Sequence, residues 1–268
     1  MPTPNQLHLW DDRFFYITPA IQSGLTARSS ATLLACGDGR PFTLVTHGGE
    51  VLRCTAALVA PHVPRRLDAD GCGLLSLNID PASAVFRGLS DRLGGAGILP
   101  LDARCFGPRL REAFEGAVHG QLPAEALRAL SVDMVHTVCG QRPGPAPMDP
   151  RVVRVLSRLQ ARAAEGAVPL QELAACAQLS PDRLTHLFRE QTGLSIKRYL
   201  LWAKIRRAVH MLATARPLTD AALAGGFADS AHMSHAFQRC FGLPPSFLAR
   251  AGQVSVVVDA HAQRVWHG

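Results

Sequence analysis

Two short polar stretches in the C-terminal half have the residue types and spacing to read a hydrogen-bonding surface. Asp182, Arg183, Thr185, His186 and Arg189 share one side of a 3.6-residue repeat, and Ser230, Ala231, His232, Ser234 and His235 share one side of another, with Gln238 beyond them. Arg presents a planar fork of donors that fits a guanine edge or a phosphate, whereas Ser, Thr and the His ring donate or accept singly. A further pair, Arg28 and Arg65, stands in the N-terminal half. If either guanidinium points inward with no acid beside it, it favours a carboxylate- or phosphate-bearing ligand. Outward-pointing side chains, or a collapsed pocket, are the alternative.

Catalytic chemistry has no such support. The chain contains no HExxH, no GxSxG elbow, no Walker loop and no GxGxxG after a strand. A catalytic metal needs clustered imidazoles, and His47 and His62 are isolated and read as surface or turn residues. Seven cysteines, at 36, 54, 72, 105, 139, 176 and 240, form no CxxC pair and are odd in number, which fits reduced thiols. The equal spacing of Cys36, Cys54 and Cys72 leaves two readings open: thiols gathered by adjacent strands into a redox or soft-metal sensor, or three packed side chains. The expectation is no enzyme, no bound metal and no cofactor.

Charge is divided unevenly along the 268 residues. Residues 1–149 carry 13 Arg and 14 acids, whereas residues 150–251 carry 14 basic and 6 acidic residues, and the tail is neutral. The net charge of +7 therefore belongs to the segment holding both polar stretches, as expected for contact with a polyanion such as double-stranded DNA; a solvated basic surface is the plainer reading. No apolar run reaches the ~20 residues of a membrane span. The opening MPTPNQLHLWDDRFFY lacks a basic region followed by an apolar one, so a cytoplasmic address is expected.

The elements that must position these residues follow from periodicity. Val152, Leu156, Leu159 and Ala163 mark a helix opened by Asp149 and Pro150 and stopped by Gly166. Leu170 to Ala177 is a short helix, and Ser180-Pro181 opens another with Leu184, Leu187 and Phe188 inward, ended by Thr192-Gly193. From Ser195 a long helix carries Tyr199, Leu200 and Ala203 on one side and Lys197, Arg198, Lys204, Arg206 and Arg207 elsewhere. The short-helix, turn, longer-helix pattern then recurs: Pro217 to Ala224, Gly225-Gly226-Phe227, and a helix capped by Asp229 with Met233, Ala236, Phe237 and Phe241 inward, closed by Gly242-Leu243-Pro244-Pro245. Each unit has the geometry that lets a second helix enter a major groove while the first braces it.

In the front half, short apolar stretches (32–35, 42–46, 51–52, 56–59 and 74–78) broken by Gly and Pro clusters predict a β-rich sandwich or barrel. Two apolar stripes, Leu110, Phe114, Ala117, Val118 and Leu127, Leu130, Met134, Val138, predict two helices after it. The segment 140–150, with four prolines, reads as a linker. The fold class is thus α+β in two domains: a cupin-like barrel over 1–107 with a helical dimerisation segment at 108–139, then an all-α domain over 151–251. A tail at 252–268 includes the short strand pattern QVSVVVDA.

The run LQELAACAQLSPDRLTHLFREQTGLSIKRYLLWAKIRRAVHMLA, followed by PLTDAALAGGFADSAHMSHAFQRCFGLPPSFLAR, resembles the DNA-binding domain of the AraC/XylS transcription regulators over residues 150 to 250. That resemblance implies two recognition helices in successive major grooves, with DNA contacts carried to Asp182, Arg183, Thr185 and His186 and to Ser230, Ala231, His232, Ser234 and His235; Arg183 is the strongest specificity residue, and Arg189 joins the DNA-binding set from the same outer face. It further implies an effector-binding front domain, a homodimer, RNA polymerase as a partner, and activation. The stretch ALVAPHVPRRLDADGCGLLSLNIDPAS is similar to the cupin-like effector domain of the same family, over residues 25–85. Its metal positions are not matched: the usual HxHH-like segment reads Thr26-Ala27-Arg28-Ser29, and a later His position reads Arg65. Gln178 replaces a common turn Gly, and Ala221 and His235 replace a frequent Ile and Arg, which thins the second unit's core. A cupin-type enzyme or a thiol or metal sensor fused to a DNA-binding domain is the alternative function.

Overall fold

The computed structural model describes residues 5–10, 12–140, 147–162, 168–213, 216–241, 244–246 and 254–258. Nine strands come first: β1 (Asn5–Leu9), β2 (Arg13–Thr18), β3 (Gln22–Thr26), β4 (Ala31–Cys36), β5 (Phe42–Thr46), β6 (Val51–Cys54), β7 (Ala56–Val59), β8 (Arg65–Asp68) and β9 (Leu74–Ile79). Helix α1 (Ala84–Leu93), strand β10 (Ile98–Leu101), a 3₁₀ turn (Ala103–Phe106), α2 (Gly107–Val118) and α3 (Ala124–Cys139) complete the front half. The predicted strands at 32–35, 42–46, 51–52, 56–59 and 74–78 are all present, whereas β1, β2, β3, β8, β10 and α1 carried no clear signal in the sequence.

The strands form a seven-stranded sheet in the order β10-β7-β4-β9-β2-β1-β11 and a four-stranded sheet in the order β3-β8-β5-β6, where β11 is Val254–Val258. All pairings are antiparallel except β1 with β11. The expected closed barrel is therefore corrected to two sheets that share no ladder among the described residues. The chain changes sheet at Thr55, between β6 and β7, and the short β6 is paired with β5 alone.

Register fixes what each face of the large sheet does. Phe15 and Ile17 lie opposite Leu77 and Leu75, with Leu33 beside Leu77, on the face covered by α1 and α2. The stripes of α2 and α3, including Phe114, Ala117, Leu127, Leu130, Met134 and Val138, are buried in this same core. Residues 108–139 thus use their apolar faces inside the chain, so the dimer contact expected there has only their outer, polar faces to use. The other sheet face carries Phe14 opposite Asn78, Tyr16 opposite Ser76, and Thr32 opposite Asn78.

The helical half contains α4 (Pro150–Ala161), α5 (Leu170–Ala177), α6 (Pro181–Thr192), α7 (Ile196–Ala213), α8 (Leu218–Ala224) and α9 (Ser230–Phe241). Asp149 caps α4 by accepting the Arg151 N–H at 2.9 Å, Ser180 accepts the Arg183 N–H at 3.4 Å, and Asp229 accepts the His232 N–H at 2.6 Å. Its core does not end at the domain boundary. Leu7, Leu9, Phe14 and Tyr16 of β1 and β2 belong to the same buried cluster as Trp202, Ile205, Val209 and Phe237. Ala163, Gly166, Gly242, Leu243, Trp266 and most of the proposed linker lie outside the described residues.

Candidate functional site

In the first helix-turn-helix unit, Leu173, Ala174 and Ala177 of α5 pack with Leu184 and Phe188 of α6. The turn between them has Gln178 at φ 55°, ψ 44°, a left-handed conformation that glycine adopts freely and glutamine does not. Two bonds hold it there, Gln178 N–H to the Ala175 carbonyl and Leu179 N–H to the Ala174 carbonyl, both at 3.0 Å. Opposite the buried face, Asp182, Arg183, Thr185, His186 and Arg189 are all exposed, on one side of α6. The Thr185 hydroxyl donates to the Asp182 carbonyl at 2.9 Å, which leaves its lone pairs for an outside donor.

The second unit reaches its turn differently. Gly226 takes the left-handed position at φ 80°, and a side chain at Gly225 would meet the Ala221 carbonyl at 3.0 Å and Ala208 at 3.1 Å, so α8 approaches α7 as closely as only glycine permits. The Lys204 ammonium donates to the Gly226 carbonyl at 2.6 Å. On α9, Ala231, His232 and His235 are exposed and Ser230 and Ser234 half-buried, and the Ser234 hydroxyl donates to the Ser230 carbonyl at 2.7 Å. The His232 ring stands edge-on to Phe227, 5.3 Å between centroids, which fixes its direction.

Helix α9 is seated on the strands of the β domain, whereas α6 meets the front half only at its C-terminal end, where Gly193 faces Phe86 of α1. The Ala27 N–H donates to the Arg239 carbonyl at 3.4 Å, and Phe14 stacks edge-on against Phe241 and at a tilt against Trp202. Beside this contact Asp80, 2% exposed, accepts the Trp202 indole N–H at 3.0 Å and pairs with the Arg206 guanidinium, which also donates to the Trp10 carbonyl at 2.9 Å. Lys204 and Arg206, expected on a basic surface of the long helix, are therefore structural: one ties α7 to the second turn and the other ties it to the β domain. Asp80 and Trp202 were not found from sequence, because their partners lie more than 100 residues away and only the Asp80-Pro81 step after an apolar strand marked the place.

Arg28 and Arg65 both point inward, at 7% and 3% exposure. Arg28 donates to the Ser76 hydroxyl and to the Asn78 amide oxygen, both at 2.8 Å, and its Nε has no partner among the described residues. Arg65 reaches the Val63 carbonyl at 3.3 Å and the Thr32 hydroxyl at 3.5 Å. No carboxylate pairs with either among the described residues. Burial pulls Arg28 down to about 10, and burial followed by the charge of Arg28 pulls Arg65 down to about 9. Between the sheet and the helical domain lies a cavity of about 50 Å³, walled by Leu7, Leu9, Phe14, Ile21 and Phe237, with Arg28 and the Asp80-paired Arg206 as its charged lining.

The other candidates separate from this site. His47 is exposed in the turn after β5, and His62 sits in a turn with φ 61°. Cys36, Cys54 and Cys72 converge at one end of the sandwich, where the Cys36 N–H meets the Thr55 carbonyl at 2.9 Å and the Gly37 N–H meets the Cys72 carbonyl at 3.3 Å. All three are buried, and burial raises their thiols, Cys54 and Cys72 to about 11, so they stay protonated at neutral pH. Among the described residues no group of three His, Cys, Asp or Glu could hold a metal, and no helix is long and apolar enough to cross a membrane.

Comparison with known proteins agrees with this anatomy. Residues 173–251 match the helix-turn-helix domain family. The arabinose operon regulatory protein of Escherichia coli is 34% identical over 114 residues, which is 42% of this chain and 39% of that protein, so the chain spans about two fifths of the length of this relative. The fold of both halves together resembles the apo form of a ToxT variant from Vibrio cholerae, with a TM-score of 0.60 over 89% of this chain and 97% of the other at 10% identity. Wild-type ToxT with bound unsaturated fatty acid gives 0.54 over 92% and 97% at 12% identity. Residues 173–251 of this chain are thus similar to a helix-turn-helix domain family, carried behind a β domain with the fold seen in ToxT.

Proposed function

We propose that this chain is a sequence-specific DNA-binding transcription regulator whose β domain answers to a small carboxylate with an apolar body. The observation that carries the first part is the pair of exposed polar faces on α6 and α9, in a domain that holds the whole surplus of positive charge. Arg183 reads a base edge through its fork, Thr185, His186, Ser234 and His235 add single hydrogen bonds, and Arg189 meets phosphate. Asp182, Ser230, Ala231 and His232 complete the groove-facing surface. Genome-wide footprinting with the Arg183→Ala variant tests this: discrete sites lost in the variant support it, and diffuse, salt-sensitive binding in both would overturn it.

The effector reading rests on Arg28. Its free Nε and the second uncompensated guanidinium of Arg65 favour an anion, while the cavity beside Arg28 is walled by hydrocarbon. The fatty acid bound to ToxT, a protein of the same fold, supports the same ligand class here. At about 50 Å³ the cavity holds a few waters and no long chain, so a ligand must part its walls, one of which is the buried side of α9. A molecule that binds only the parted arrangement shifts the population towards it, and that shift reaches the second recognition helix directly. Direct titration with a medium-chain fatty acid should give saturable binding that Arg28→Gln weakens at least about tenfold; equal binding by both proteins would remove Arg28 from the site.

A homodimer, using the outer faces of α2 and α3, and contact with RNA polymerase belong to the same proposal. The thiol-sensor alternative is disfavoured by three buried, protonated sulfurs, and the enzyme alternative by relatives named as regulators.

A further inference from the structure

Strand β11 lies beyond residues 173–251, the part matched as a helix-turn-helix domain, and returns to the first strand of the chain. It pairs in parallel with β1, from Asn5 opposite Val254 to Leu9 opposite Val258. A parallel neighbour cannot be reached by a hairpin and needs a crossover. Here the crossover is the entire chain from β2 to α9. The helical domain is consequently held to the β domain at both of its ends, by the segment leading into α4 and by β11.

The strand that β11 covers is also the strand on which the helical domain sits. Leu7 and Leu9 of β1 are buried with Trp202, Ile205 and Val209 of α7, and α7 packs beside β11 itself. Residues 242–253 are all that separate the end of α9 from β11, so the position of β11 limits how far α9 can move from Phe14 and Ala27.

We propose that residues 254–258 are an interdomain clasp, which keeps α7 and α9 seated on β1 and β2 and can open without unfolding either domain. A terminal strand of five residues that has a single neighbour among the described residues is the part of a sheet that opens first, because its ladder is paired on one side only. Reclosure is favoured because the strand stays tethered to α9 and returns at a high effective concentration. With the clasp open, β1 has a bare edge and the helical domain is retained by the remaining contacts, among them Leu7, Leu9, Phe14 and Tyr16, the Ala27–Arg239 bond, and Arg206 on Asp80 and Trp10. The clasp thus sets how readily the two domains part, independently of any ligand.

Amide hydrogen exchange on the full chain, on a Val256→Pro, Val257→Pro double variant and on a chain ending at residue 253 tests this without DNA or effector. Adjacent prolines remove the ladder donor whichever of the two positions faces β1. Both altered proteins should exchange at least about tenfold faster at Asn5–Leu9 and along α9, with β4, β9 and α4–α6 unchanged. Unchanged protection at Asn5–Leu9 would overturn the clasp, and so would faster exchange throughout, which would make β11 part of the global fold. Protection of β1 that falls when the unaltered protein is diluted would also overturn it, since the covering strand would then come from a second copy.

Discussion

The two helix-turn-helix units share one architecture and differ in almost everything that could regulate them. The first is joined through a strained Gln178 turn, presents Arg183 and Arg189 on an exposed helix, and packs on α4 and α7. The second turns through Gly225-Gly226, presents His232, His235 and two half-buried serines, and sits against β1, β2 and β3. Duplication has therefore been resolved into a division of labour. The unit with fixed charge contributes no lining residue to the interdomain cavity, and the unit with the His and Ser face forms one of its walls.

Asp80 is the place where this division is most open to attack. Asp80→Ala leaves Arg206 buried beside an apolar gap and strips the Trp202 N–H of its acceptor, and losing one partner of such a buried pair costs roughly 3–5 kcal/mol. If the second unit is the seated one, chemical denaturation should show that loss, and hydrogen exchange should rise in α8, α9 and β1 before α5 and α6. A uniform rise would mean that the two units are coupled equally to the β domain.

The DNA side of the comparison predicts unequal losses. Arg183→Ala should weaken specific binding by ~1–3 kcal/mol, the worth of a bidentate base contact, and His235→Ala by about 1 kcal/mol or less, the worth of a single hydrogen bond. Measured by fluorescence anisotropy against the same operator, equal losses would remove the functional asymmetry while leaving the structural one.

How much of this was legible in sequence follows the same division. Helices α4 to α9 were readable because their apolar repeats, caps and glycines are local signals; even the αL cost at Gln178 could be anticipated from its place in the turn. Strand β2 was not, because Phe14 and Tyr16 on one face, beneath the helical domain, and Phe15 and Ile17 on the other are all buried, so no polar alternation remains; β1 does alternate, as Gln6-Leu7-His8-Leu9, but over only five residues. The inward direction of Arg28 depends on the irregular step between β3 and β4, where no side-chain parity is defined. The cupin-like closure failed for a similar reason: strand patterning gives the number of strands but not which edges meet.

Acid should act on the seated unit selectively. His62, whose backbone N–H donates to the Arg28 carbonyl at 2.7 Å, is pulled from 6.5 down to about 4 by burial and then by the charges of Arg198 and Arg239 from α7 and α9. The seated state prefers neutral His62, so its contribution is fully present above about pH 6.5 and is lost as pH falls towards 4. Because the side chain is only half-buried, solvent screening holds the effect to roughly 1 kcal/mol. Stability measured between pH 7 and 4.5 should fall less steeply in His62→Asn, which tolerates the positive φ; the burial-lowered His8 acts in the same direction and remains in both proteins. Parallel pH profiles would show that His62 does not sense the seating.

The smallest effect tests the turns themselves. Gln178→Gly removes a left-handed side-chain cost of ~1 kcal/mol but adds glycine's freedom to the unfolded chain, leaving a net gain of about 0.5 kcal/mol. Gly226→Ala imposes that same cost on the second unit, at φ 80°, with no compensation beyond a stiffer unfolded chain. Thermal melts should therefore move in opposite directions, Gln178→Gly upward by a degree or two and Gly226→Ala downward. A downward shift for Gln178→Gly would mean that its side chain contributes more than its backbone costs, and the first turn would then be a stabilised conformation, with strain no longer distinguishing the two units.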